Sequence, residues 1–296
     1  MKKLTAIALA LVMLLALTAC EKQPETEVKY LPLEVTHEMA PDYTVKYVYQ
    51  YDENWNQTLF TEYVNDEPEN ETSYIMDLEN KQILKIISTT PDGSTFEIEY
   101  KNTYDPKGNL ILREQFSEGI LAISTEYTYD ADGNMLSITQ KNPSNSSTSI
   151  LTYDGNGHLL RMENIMEAVG ERPASRAWTE YTYDENGNQI QSVNYYNNGE
   201  NRTTQVTEYD DLGRKTKQVV TDDYGGTETI RNIHSFTWEG NTETETICGV
   251  AGNVLMTCTR TYDDAGNLLV SENNATGDDF VQRTTYTWQK VELPVK

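Results

Sequence analysis

A six-residue phrase, Tyr-Asp-x-x-Gly-Asn, recurs about every 25 residues from Tyr51 almost to the end of the 296-residue chain. A repeat of that length is one supersecondary unit that cannot bury an apolar face alone, so the fold has to be an array of like units. The clearest copies begin at Tyr104, Tyr129, Tyr153, Tyr183, Tyr209 and Tyr262, and only the last position varies, to His158 and Arg214.

The phrase reads as a turn with strands on both sides. An Asp that opens a turn accepts N–H bonds from the residues after it, and a Gly three places on supplies a left-handed backbone that other residues resist. Asp105 with Gly108, Asp130 with Gly133, Asp154 with Gly157, Asp184 with Gly187, Asp210 with Gly213 and Asp263 with Gly266 fit type I turns closed by a glycine bulge. Before each Asp the pattern has period two: Leu121, Ile123, Tyr127 and Tyr129 share one face, while Ala122, Ser124, Glu126 and Thr128 share the other. Second turns at Asp92-Gly93, Glu118-Gly119, Asn198-Gly199 and Gly225-Gly226 divide each period into two strands. Degenerate copies at Asp52, Met76-Asp77 and Trp238-Glu239-Gly240-Asn241 bring the expectation to about ten hairpins, roughly twenty strands and almost no helix.

These six regular copies resemble the Tyr-Asp repeat family, also called Rhs repeats, over roughly residues 45 to 288. The resemblance implies an all-β antiparallel meander, which in the family's large members spirals into a hollow shell able to enclose a C-terminal toxin. This chain ends at Lys296 directly after its last repeat, so the toxin-delivery role stands as the alternative reading. Twenty strands at about 4.8 Å spacing make a sheet roughly 95 Å wide, which has to curl. One long curved or superhelical sheet with capped ends is therefore expected.

Residues 1–19 resemble a bacterial lipoprotein leader: Lys2 and Lys3 precede an apolar run from Ala6 to Ala16, and Leu17-Thr18-Ala19-Cys20 matches the lipobox. The resemblance implies acylation of Cys20, cleavage before it and an extracytoplasmic protein, at the cell surface or in a periplasm, held to a lipid bilayer. Residues 20–42, Glu-rich with Pro24, Pro32 and Pro41, are expected as an extended tether, and residues 43–296 as the repeat array. Removing the leader takes the formal charge from −24 to −26, so nucleic acid is excluded as a partner by repulsion.

The chemistry-bearing residues are few. His37, His158 and His234 are scattered, the 47 acidic residues single out no pair, and no phosphate loop or metal cluster appears, so the expectation is a non-enzyme without cofactor. The acidic runs Asp130–Asn134 and Asp184–Asn188 resemble half a calcium loop. Lys141 and Tyr195 occupy the places of the closing carboxylate, which excludes an EF-hand and leaves weak cation binding by the turns open. Cys248 and Cys258 are expected on one face but about 13 Å apart along a hairpin, as two free thiols. The candidate binding residues are the aromatic pairs Tyr127 and Tyr129, Tyr181 and Tyr183, and Tyr286 and Trp288. If they stack into a ladder, that ladder is either core or an exposed groove for glycans, envelope or host, or for surface proteins. A membrane-anchored adhesion or ligand-binding scaffold is the leading expectation.

Overall fold

The structure, a computed structural model, describes residues 26–294 except 78–81, 169 and 171–172. The leader and Cys20 lie outside the described residues. Strands follow one another along the chain: β1 (Thr26–Ala40), β2 (Tyr43–Tyr51), β3 (Gln57–Val64), β4 (Glu67–Asp77), β5 (Gln82–Thr89), β6 (Thr95–Tyr104) and β7 (Leu110–Ser117). Next come β8 (Ile120–Tyr129), β9 (Met135–Asn142), β10 (Asn145–Tyr153), β11 (Leu159–Met166), β12 (Ser175–Tyr183), β13 (Gln189–Tyr196) and β14 (Asn201–Tyr209). The series closes with β15 (Lys215–Tyr224), β16 (Thr227–Glu239), β17 (Thr242–Gly249), β18 (Val254–Tyr262), β19 (Leu268–Ala275) and β20 (Gln282–Pro294). A three-residue 3-10 turn at Asn197–Gly199 is the sole helical element among the described residues. The all-β meander read from the repeat is thus present.

The expected open sheet is not. Every strand pairs antiparallel with the next, but β1 also pairs with both β2 and β20, so the twenty-stranded sheet closes on itself. Residues 26–40, read as tether, supply the closing strand: Glu34 to Glu38 pair with Val48 to Thr44, and the His37 ring bonds the Thr284 hydroxyl on β20 at 2.9 Å. Closure removes the two unpaired edges that an open meander of this width would expose. By contacts the chain divides into two compact units. Pro32–Gln289 holds the repeats and this seam; the second comprises the chain up to Leu31 and from Lys290, of which 26–31 and 290–294 are described, all in strand.

One face of the closed sheet carries Val45, Ile86, Tyr100 and Phe236 together with Thr125, Ser192, Thr203, Gln218, Asp222, Glu243 and Glu245, all buried. Val35 and Cys258 belong to the same buried set, so this inner face mixes polar and apolar groups, and among the described residues no large side chain is fully buried. Most inward side chains stay half-buried, so the inner face is lined and not packed.

Candidate functional site

The turns come first, because they position everything else. In each clear copy one Asp oxygen accepts two backbone N–H bonds and the other accepts a side-chain N–H. At Asp130, Oδ1 takes the N–H of Asp132 (2.9 Å) and of Asn134 (2.8 Å), and Oδ2 takes Asn134 Nδ2 (2.9 Å). The same triad forms at Asp105, Asp184 and Asp263. His158 and Arg214 replace Asn without loss, because His158 Nδ1 reaches Asp154 Oδ2 at 2.9 Å and Arg214 Nε reaches Asp210 Oδ2 at 2.8 Å. The amide of Asn109, the first cause, and the backbone bonds after it hold the Asp105 carboxyl below the ordinary range; Asn188 and Asn267 do the same for Asp184 and Asp263. Carboxylates filled by their own turn have no open oxygen pair to offer a cation. Among the described residues no group of His, Cys, Asp and Glu is placed to hold a metal.

The motif Tyr has its own task. Tyr129 Oη donates to the Leu110 carbonyl (2.9 Å), Tyr183 Oη to Leu159 (2.9 Å) and Tyr209 Oη to Gln189 (2.9 Å). Each acceptor lies two residues past the Gly of an earlier turn, where the ladder to the next strand has ended and the carbonyl would be orphaned. Tyr51 does the same to Pro32 on the closing strand, at 2.7 Å. Trp238 and Trp288 stand in the Tyr place and donate their indole N–H to Lys215 (3.2 Å) and Leu268 (2.7 Å). In these copies the phrase encodes two bonds: Asp closes its own turn, and the aromatic before it staples that turn to the previous hairpin; at Tyr104 the hydroxyl is instead buried without a partner, and Tyr262 bonds the Glu243 carboxylate.

Of the six aromatic residues picked out in the sequence, Tyr129, Tyr183 and Trp288 are such staples. Tyr127, Tyr181 and Tyr286 lie two residues before them on the same inner face, half-buried. Burial raises the phenol pKa of Tyr127 and Tyr129. The six do not stack on one another from hairpin to hairpin as the expected ladder requires, since an intervening strand sets successive copies about 9–10 Å apart, although Trp238 and Tyr262, in the same place of successive copies, bridge that gap with stacked rings 6.2 Å apart. The ring contacts these residues make are Tyr286 with Trp288 on one strand (6.2 Å) and Tyr183 with His158 of the preceding Tyr-Asp turn (4.9 Å).

A feature that sequence reading missed sits on the inner face of β16 to β18. His234 Nδ1 meets Glu245 Oε1 at 2.6 Å, Arg260 Nη2 donates to Glu245 Oε2 at 2.9 Å, and Tyr262 Oη donates to Glu243 Oε2 at 3.1 Å. Burial pushes the Glu245 carboxyl up, but the bonds from His234 and Arg260 and the Arg260 charge outweigh it and leave it low. Cys258 lies opposite Glu245, 4% exposed, and burial followed by the Glu245 charge pushes its thiol up. It is therefore held as a thiol, the unreactive form. Cys248 is free as well and pairs with Val254, as the sequence predicts, but the register turns it to the face opposite Cys258, so the two thiols do not share the face expected of them. The signal available was the run Thr242-Glu243-Thr244-Glu245-Thr246, polar on both faces of a strand that has to turn one face inward. His37 and His234 thus belong to the inner face; of the three histidines only His158 is a turn residue.

The sequence matches the family described as the teneurin YD-shell over residues 69–274. A Tc holotoxin pore from Photorhabdus luminescens is similar at 13% identity and TM-score 0.36, over 79% of this chain and 15% of that one. A TcdB2-TccC3-Cdc42 structure is similar at 14% identity and TM-score 0.38, over 80% and 15%. A porin-like protein from Bacteroides uniformis is similar at 13% identity and TM-score 0.36, over 86% and 95%. The chain spans about 15% of the length of the two toxin chains. Curated protein sequences yield no match. With its Tyr-Asp turns, their staples and the family match over most of its length, the chain belongs to the teneurin YD-shell family.

Proposed function

We propose that this chain is a non-enzymatic YD-repeat scaffold, anchored at the cell envelope through acylated Cys20, that binds a glycan or protein ligand. The observation that carries the reading is the closed sheet whose inner face is lined by half-buried tyrosines and polar groups and is not filled. The outer face supports anchoring by lipid rather than by strands. It carries Lys141 with Glu126 (3.1 Å), Arg161 with Glu180 (2.6 Å) and Lys217 with Glu208 (3.5 Å), where a membrane-spanning barrel needs an apolar band. No helix among the described residues is long and apolar enough to cross a membrane.

The test is a binding screen of the full-length chain in detergent against cell-wall polymers, host glycans and matrix proteins, with palmitate labelling of wild type and Cys20→Ser alongside. Label lost in Cys20→Ser and a saturable ligand are the expected results. Unlabelled wild type removes the anchor, and a screen without any ligand removes the binding role. Closure also favours a second reading, in which the sheet encloses a polypeptide as part of a toxin-delivery system. A polypeptide encoded beside this chain that resists protease only when the two are produced together would support it.

A further inference from the structure

We propose that the inner face of β11 to β16 holds a subsite for a neutral saccharide, a pyranose bearing hydroxyl or acetamido groups; this rests on the binding role proposed above. The sheet register makes the site. Asn164 pairs with Ala177, and one step along, Thr179, Asn194, Thr203 and Asp222 form a continuous row across β12 to β15. Ala177 offers only a methyl group beside Asn164 and Thr179, and a hollow of about 400 Å³ results, lined also by Asn194, Tyr196 and Arg231.

Its polar groups are biased in one direction. The Asn194 amide oxygen is taken by the Thr179 hydroxyl at 2.5 Å and the Asn164 oxygen by the Ser149 hydroxyl at 2.6 Å, so among the described residues each amide keeps its N–H donors without a protein partner. Arg231 brings a positive charge, but Asp222 holds it through two bonds of 2.7 and 2.6 Å, and Thr203 donates to the same carboxylate at 2.7 Å. The lining is thus a set of fixed amide donors and a neutralised ion pair beside the Tyr196 ring. That combination fits a ligand rich in hydroxyl and carbonyl acceptors, with an apolar C–H face to lay on the phenol. A formal charge of −24 disfavours polyanions. Capture of an extended peptide by strand addition needs a sheet edge, and closure leaves the repeats none.

The experiment titrates the full-length chain in detergent with an N-acetylglucosamine oligomer, a neutral glucan oligomer and an unstructured peptide, by calorimetry. Saturable binding of a neutral oligosaccharide is expected, weakened at least tenfold by Asn194→Ala and by Ala177→Leu, which fills the hollow, and unchanged by Thr128→Ala on the outer face. Circular dichroism and thermal midpoint establish that each variant folds; should Ala177→Leu fail to fold, Asn194→Ala carries the decision. Saccharide binding that survives in the folded variants overturns this subsite and leaves the broader binding role standing. Binding of the peptide without any saccharide overturns the ligand class, and a chain that binds none of these probes or the earlier screen's ligands loses both.

Discussion

At the scale of single residues, each turn is over-determined by groups within five positions of one another, which is why the repeat survives substitution. Gly133 has φ of 93° and nothing within 4 Å of where a Cβ would stand, so Gly133→Ala is expected to cost about 1 kcal/mol from backbone strain alone. Gly199→Ala differs in kind, because the added carbon would lie 2.6 Å from the Trp178 ring and displace it from Tyr195; urea unfolding should rank it the more damaging. Tyr129→Phe keeps the ring but orphans the Leu110 carbonyl, an expected loss of about 1 kcal/mol, whereas an unchanged midpoint would show that water replaces the staple. Turn carboxylates set the acid limit. The pKa values of Asp105, Asp130, Asp184, Asp210 and Asp263 are depressed, each first by the side chain four residues on. Their contribution is therefore complete above the unfolded carboxylate pKa of about 4 and is lost as pH falls through the lower folded values. The thermal midpoint should hold from pH 7 to about 5 and drop below about 4; a flat profile down to pH 3 would contradict this. The Asp and Gly roles were legible from spacing. The Tyr staple was not, since its acceptor is a backbone carbonyl about 20 residues upstream, visible only once the register is known.

At the scale of elements, hairpin count and strand parity were readable because turn signals recur at short intervals and the side-chain period is two. Register was less so. Counting back from the turn places Cys258 opposite Thr244, yet a bulge between Ile247 and Cys248 shifts it to Glu245. That single step brings the thiol beside the Glu245, His234 and Arg260 cluster, which no spacing rule announces because its members come from three strands. The cluster is expected to be a structural keystone of β16 to β18. Arg260→Met leaves Glu243 and Glu245, neighbours on one face of β17, without the guanidinium that both bond and should cost about 2–3 kcal/mol. Pairing it with Glu245→Gln should recover part of that loss, and a double variant no better than Arg260→Met alone would refute the coupling.

At the scale of the whole molecule, the sequence foretold a sheet too wide to stay flat but not how it would end. The strand that closes it, β1, carries no Tyr-Asp phrase, contains Pro32 and has the Glu-rich look of a linker. Its fitness to pair comes from partners elsewhere: Val35 and His37 find Tyr47 and Val45 on β2, His37 finds Thr284 on β20, and Tyr51 bonds the Pro32 carbonyl that a linker would leave to water. Burial lowers the pKa of His37, so at neutral pH the seam holds an uncharged imidazole. Closure is what turns a strip of hairpins into a chamber, and both proposals about ligands depend on it. Amide hydrogen exchange measured on peptides covering 34–40, 145–153 and 282–289 at neutral pH tests it most directly. A closed sheet predicts that β1 and β20 exchange as slowly as β10, in the middle of the meander, because each has a partner on both sides. Fast exchange confined to 34–40 and 282–289, with β10 protected, would mean two open edges and contradict the closed sheet.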